Sequence, residues 1–321
     1  MCDETFHSMA SVRTSICKIL DISHPIICAP MANVTGGVLA SSITECGGLG
    51  LIGGGYCDPE WLKRELGRAK ENTFGVGFIT WRLAQNPNVL DMALERSPRA
   101  IWLSFGDIEP FVEKIKNHNI PLICQVQTVR QAKECKEKGA DIIVAQGTEA
   151  GGHGGDRGSM ALIPAVVDAV SPLPVLAAGG ISDARGIAAS MMLGAQGVVI
   201  GTRFLASEES LASNPAKMSV VRSSGDNTIR SNILDYARGY DWPRPYTGRT
   251  IANGFIQKWS KKEIQCEEDK VNLKQDYEGQ PHDDPVVFAG EGIDMIHNVL
   301  PTKTIMDQLT TDLQRFNIEQ N

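Results

Sequence analysis

The sequence predicts an α/β fold: a closed TIM (β/α)8 barrel with a small, mostly helical cap inserted after the eighth strand. Three observations predict it. From Pro25 to about residue 207, short apolar runs alternate eight times with longer amphipathic stretches. The short runs are continuously apolar, as expected of parallel strands covered by helices. Eight such units in about 180 residues fit a closed barrel better than a doubly wound open sheet.

The units follow in order. "PIICAP" (25–30) reads as a strand and "GGVLASSITECG" as its helix. "LGLI" (49–52) precedes "DPEWLKRELGRAKE", a helix with Asp58 as N-cap and Pro59 at its first position. "FGVGFI" (74–79) precedes "VLDMALER", and "AIWLSF" (100–105) precedes "IEPFVEKIKNHN". "PLICQV" (121–126) leads into "TVRQAKECKEKG", opened by Thr128 and closed by Gly139. "DIIVAQ" (141–146) is followed by a helix near "ALIPAVVDAV", and "PVLAAG" (174–179) by "SDARGIAASMMLG". "GVVIG" (197–201) is followed by a helix near "SEESLA". The rhythm then stops. Residues 208–285 are more polar, with aromatic and Arg residues recurring in "YARGYDWPRPYTGRT", and predict the cap. "PVVFAGEGIDMI" and the amphipathic "TKTIMDQLTTDLQRF" return to the earlier style. The expected units are therefore a barrel at 1–207, a cap at 208–285 and a return segment at 286–321 packing on the barrel.

Composition narrows the function. The chain has 321 residues, 42% hydrophobic, with a net charge of −7. That charge argues against a nucleic-acid surface. No apolar run reaches the roughly 18 residues that span a bilayer, and the N-terminus lacks a signal-peptide pattern. Eight cysteines lie scattered with no C-x-x-C pair, so reduced thiols and a cytoplasmic location are expected. The oligomeric state stays open, a homodimer among the options.

Active sites of such barrels form at the C-terminal ends of the strands. Ala29-Pro30-Met31 follows the first strand, and Gln146-Gly147 leads into the glycine-rich "AQGTEAGGHGGDRG" after the sixth. Gly179-Gly180 follows the seventh strand and Gly201-Thr202 the eighth. The last two loops together predict a phosphate site, because backbone N–H groups without side chains can cradle an anion. Gly48 to Gly53 fits G-x-G-x-x-G but runs through a strand instead of opening a helix, so it does not read as a dinucleotide site. His153 leaves a strand on the active face. An imidazole titrating near ~6.5 suits a general base, and no Cys or carboxylate cluster accompanies it at metal-ligand spacing. Tyr240, Trp242 and Tyr246 present aromatic faces to substrate or form the core of the cap.

The stretches "PIICAPMANVTGG", "CGGLGLIGGG", "AQGTEAGGHGG", "VLAAGGISDARGIAASMMLGAQGVVIGTRF" and "DWPRPYTGRTIANGF" resemble the nitronate monooxygenase family, formerly 2-nitropropane dioxygenase. The resemblance runs from about residue 16 to the C-terminus. The wider superfamily includes flavin enoyl-acyl carrier protein reductases and some NADH:quinone reductases, so an NAD(P)H-dependent flavin reductase is the alternative activity. The resemblance implies FMN. It sets Ala29, Pro30 and Met31 against the isoalloxazine, Gln125 and Gln146 facing the flavin or ribityl chain, and Gly147, Gly151 and Gly152 along it. Gly179, Gly180, Gly201 and Thr202 match the phosphate loops, and His153 the catalytic histidine. The implied reaction oxidises an alkyl nitronate, or a nitroalkane deprotonated by His153, with O2 to a carbonyl compound and nitrite. Two positions depart from many relatives: Gly77 stands for Asn, and Gln125 for Lys.

Overall fold

The computed structural model describes residues 13–262, 264 and 266–316. Eleven strands occur in it: β1 Ile26–Cys28, β2 Leu49–Gly55, β3 Gly75–Ile79, β4 Ile101–Ser104, β5 Leu122–Val126, β6 Ile142–Gln146, β7 Gly152–Gly154, β8 Val175–Ala178, β9 Val198–Ile200, β10 Thr228–Ser231 and β11 Thr247–Ile251. Eight of them close the barrel in the order β1-β2-β3-β4-β5-β6-β8-β9. All pairs are parallel, and closure sets Ile26 opposite Val198. Each barrel strand falls within or beside an expected apolar run.

Local chemistry fixes the helix starts. The Asp58 side chain accepts from the N–H groups of Glu60 and Trp61 ahead of Pro59–Arg68, and the Thr128 hydroxyl accepts from Gln131 ahead of Val129–Glu137. Gly139 closes that helix at φ +100°, where a side chain would be strained. The G-x-G-x-x-G stretch is strand β2 itself. A Cβ at Gly50 would lie 2.1 Å from the Ala40 carbonyl oxygen, so this glycine lets the helix Gly37–Glu45 pack against the strand.

Two layers of apolar side chains form the core. Ile27, Leu49, Trp102, Ile123, Val144 and Leu176 fill the barrel interior, and the helix Ser15–Ile19 joins them through Ile16. The larger layer lies between the strands and the outer helices.

The helix expected near 207–212 is absent. Ser207 instead forms a bridge with Leu300, and the Glu208 N–H donates to the Leu300 carbonyl at 3.0 Å. The incoming and outgoing chains of the cap are thereby clipped together. The eighth outer position is taken by Thr302–Leu313, which packs on Gly37–Glu45 and on Ala184–Met192. The cap is thus inserted between the last barrel strand and its helix. Its helices Asn214–Arg222, Ile233–Arg238, Gly254–Trp259 and Glu267–Glu278 are joined by the antiparallel ribbon β10–β11. Ile233, Phe255, Ile256, Trp259 and Leu273 give the cap a core of its own. Strand β11 also pairs with β7, setting Gly248 opposite His153, so barrel and cap share one small sheet. The division into units 1–207, 208–285 and 286–321 stands as a proposal, of which residues 1–12, 263, 265 and 317–321 lie outside the described ones.

Candidate active site

A cavity of about 330 Å³ opens at the C-terminal ends of the barrel strands, within the range of small-molecule sites. Parallel strands aim all their C-terminal loops at one end of the barrel, so loops far apart in sequence converge there. Ala29, Pro30, Met31, Gln125, Gln146, Gly151, Gly152 and His153 line it, and so do Gly179, Gly180, Gly201, Thr202 and Trp242. Three expected residues do not. Gly147 faces away: its N–H donates to the Ala178 carbonyl at 2.8 Å, and a Cβ would lie 2.0 Å from the Ser159 hydroxyl. Its glycine serves packing. Tyr240 stacks on Tyr56 with ring centres 4.3 Å apart, and the Tyr246 hydroxyl bonds to the Gln131 amide at 2.8 Å. Those contacts hold both rings outside the cavity wall.

His153 lies in a strand, not in a free loop. Antiparallel pairing with β11 gives the glycine-flanked backbone a fixed conformation. The imidazole Nε2 lies 2.9 and 3.0 Å from the two carboxylate oxygens of Asp235. Both side chains are buried, at 6% and 4% exposure. A carboxylate only accepts, so Nε2 carries the proton, and in the neutral ring Nδ1 keeps the lone pair. Trp242 stacks on the imidazole at 3.4 Å between centres and 5° between planes. Its indole N–H donates to the Tyr56 hydroxyl at 3.2 Å. Burial pushes His153 below its ordinary 6.5; Asp235 opposes that shift, while Arg238 and Arg230 add to it. Beneath the histidine, Gln146 Oε1 accepts from Gln125 at 3.0 Å and Gln127 at 2.8 Å, and Gln146 Nε2 donates to the His153 carbonyl at 3.1 Å.

The opposite end is built of backbone. Gly179 and Gly180 take φ of +111° and +70°, turning the chain so that no side chain fills the loop. Among the described residues, the N–H groups of Gly180, Gly201 and Thr202 have no hydrogen-bond acceptor. The Thr202 hydroxyl accepts from the Gly290 N–H at 3.0 Å, which leaves its own proton free to donate. The N-terminus of Ala184–Met192 is already capped by Asp183, so unsatisfied donors sit on the two loops and not on that helix. Gly290 and Gly292 complete this wall. Cβ atoms there would lie 2.6 Å from the Glu149 and Gly180 carbonyl oxygens respectively. Such backbone contact requires glycine.

With that geometry, comparison with known proteins is decisive. Residues 78–312 match the nitronate monooxygenase family. A probable nitronate monooxygenase of Staphylococcus saprophyticus is 33% identical, over 76% of this chain and 80% of that one. The nitronate monooxygenase npaC of Metarhizium robertsii is 35% identical, over 77% of this chain and 76% of that one.

The chain belongs to the nitronate monooxygenase family. It is an oxidoreductase, and its chemistry is that family's oxidation of nitronates by a flavoprotein. The architecture agrees: FabK from Thermotoga maritima superposes with a TM-score of 0.83 and 27% identity, covering 95% of this chain and 97% of that one. Nitroalkane oxidase from Streptomyces ansochromogenes superposes with a TM-score of 0.78 at 24% identity, covering 94% and 99%, a likeness of fold. Among the described residues, no helix is long and apolar enough to cross a membrane, and no cluster of His, Cys, Asp or Glu could hold a metal ion.

In this chain the Gly77 departure has a steric cause. A Cβ there would lie 2.4 Å from the Pro30 ring, so the proline occupies the space an Asn would need. Asp235, Arg238, Gly290 and Gly292 are site residues that sequence reasoning missed. The pair of glycines in "AGEG" resembled the strand-end loops and could have been found. Asp235 and Arg238 read as ordinary helix charges and carried no signal.

Proposed function

We propose that the flavin is FMN and that His153 is the general base toward the carbon next to the nitro group. The observation that carries this reading is one cavity with a buried His–Asp pair at one end and open backbone donors at the other. The N–H groups of Gly180, Gly201 and Thr202, with the Thr202 hydroxyl, fit one phosphate. The cradle is free of side chains because glycine stands at each turn, and the wall carries no fingerprint for an adenosine half. Ala29, Pro30, Met31 and Gln125 line the same cavity and would hold the rest of the flavin.

Held by these loops, a flavin would supply the electron-accepting chemistry for a nitronate, with O2 as the final oxidant. The chain's residues do the rest. His153 Nδ1 takes the α-proton of a neutral nitroalkane, and the Asp235 carboxylate stabilises the charge that the imidazole gains. Gln146 fixes the histidine backbone. Trp242 covers one face of the ring and keeps water from it, and a lowered pKa keeps the base neutral into mildly acidic solution. A preformed nitronate has already lost that proton and bypasses the step.

Mass spectrometry of the released chromophore tests the cofactor: FAD, or no flavin after reconstitution, refutes FMN. His153→Asn tests the base. Activity on a neutral nitroalkane should fall about 10²–10⁴-fold, with flavin retained and the preformed nitronate oxidised at a rate nearer wild type. Full rates on both substrates refute the role.

A further inference from the structure

We propose that Arg238 is the substrate-anion site of this cavity, binding a planar oxyanion, the nitronate group, through the edge of its guanidinium. The inference rests on the cavity being the active site. Arg238 lines the cavity, and no Asp, Glu or Lys does. Among the described residues its side chain makes no hydrogen bond and no ion pair. Its carboxylate neighbour on the helix Ile233–Arg238 is Asp235, three residues back, and that charge faces His153 instead.

What does hold Arg238 is aromatic. The guanidinium carbon lies 4.6 Å from the centre of the Tyr240 ring and 5.4 Å from that of Tyr56. Tyr56 and Tyr240 stack on each other at an interplanar angle of 12°. Cation–π contact uses the faces of the guanidinium. Its N–H groups lie in the plane and stay free, arranged as the fork that matches a two-oxygen anion. Arg238 also contributes to lowering the pKa of His153, which places its field at the base. A half-buried cation with no ion-pair partner, in a cavity whose lining includes no Asp, Glu or Lys, favours an anionic occupant. A nitronate spreads its charge over two oxygens of a planar group, as nitrate does over three. Tyr240 takes its place here as well, as a support for Arg238 behind the wall.

The test uses the flavin-loaded enzyme, with potassium nitrate as probe in isothermal titration calorimetry. Wild type should bind nitrate, and nitrate should compete with nitronate in steady-state assays. Arg238→Met should weaken nitrate binding and raise the KM for nitronate about 10- to 100-fold, as expected for loss of a charge-assisted hydrogen-bonded pair. Arg238→Lys should retain part of both. For a neutral nitroalkane, which gains its charge only as the α-proton leaves, the loss should fall on kcat more than on KM. No nitrate binding by wild type, or equal affinity in Arg238→Met, overturns the proposal. Flavin content of the same samples separates this outcome from failure of the FMN reading: lost flavin bears on the cofactor, unchanged nitrate affinity with flavin in place bears on Arg238.

Discussion

Asp235→Asn removes one negative charge and almost no volume from beside the imidazole of His153, the proposed proton acceptor. In the wild type the carboxylate accepts from Nε2 at 2.9 Å with both side chains buried. Asn can still accept that hydrogen through its side-chain oxygen, so the ring orientation survives. What disappears is the charge that stabilises the imidazolium as the proton arrives. A hydrogen bond to a buried charged group contributes about 1.5–3 kcal/mol, or roughly 10- to 150-fold in kcat/KM. The Asn variant should lie toward the lower end and Asp235→Ala, which loses the bond outright, toward the upper. The pH profile supplies the sharper signature. Asp235 raises the His153 pKa while burial, Arg238 and Arg230 lower it, and the net shift is downward. The wild-type acid limb should therefore fall below pH 6.5, the ordinary value. Without the carboxylate nothing opposes the lowering influences, and the limb should move to still lower pH even as the plateau drops. The assay is kcat/KM for a neutral nitroalkane across pH, with flavin absorbance confirming occupancy. An unmoved acid limb together with a plateau within about twofold of wild type would refute the reasoning.

Two further outcomes follow from the same geometry. Gly201→Asp should abolish flavin retention without unfolding the barrel: the backbone has an ordinary φ of −107° and a Cβ meets only Met31 and Ala29 at 3.5 and 3.6 Å. Two unit charges near 4 Å repel by about 4 kcal/mol at a surface-like dielectric, about a thousandfold in flavin affinity; normal flavin content would refute the phosphate assignment. Gly180 is the poorer probe, because its φ of +70° strains any side chain. Trp242→Ala should raise the KM for nitronate and lower kcat while flavin stays bound, whereas Tyr246→Ala, behind the wall, should leave KM within about twofold; equal effects of the two would show that the cap aromatics act only as its core.

The sequence by itself determined the barrel, because its signals are local. Apolar runs of strand length, amphipathic runs of helix length, and caps such as Asp58 and Thr128 each depend on a few neighbouring residues. Convergence of the loops followed from that, since parallel strands point their C-terminal ends the same way. Ala29, Gln146, Gly180, Gly201 and His153 could therefore be placed at one site before any coordinate was known. Gly147 could not be told from its neighbours, because a glycine that admits a ligand and one that admits Ser159 look alike in one dimension. The missing helix near residue 207 and its replacement by Thr302–Leu313 were equally out of reach, since either amphipathic segment could have covered the last strand. Above all, only the tertiary structure decided the state of His153. Its partner Asp235 lies 82 residues away in the cap, and the two meet because β11 pairs with the strand containing the histidine. Hydrogen bonding between strands fixes which residues face each other, and that register is a property of the folded chain, not of either segment alone.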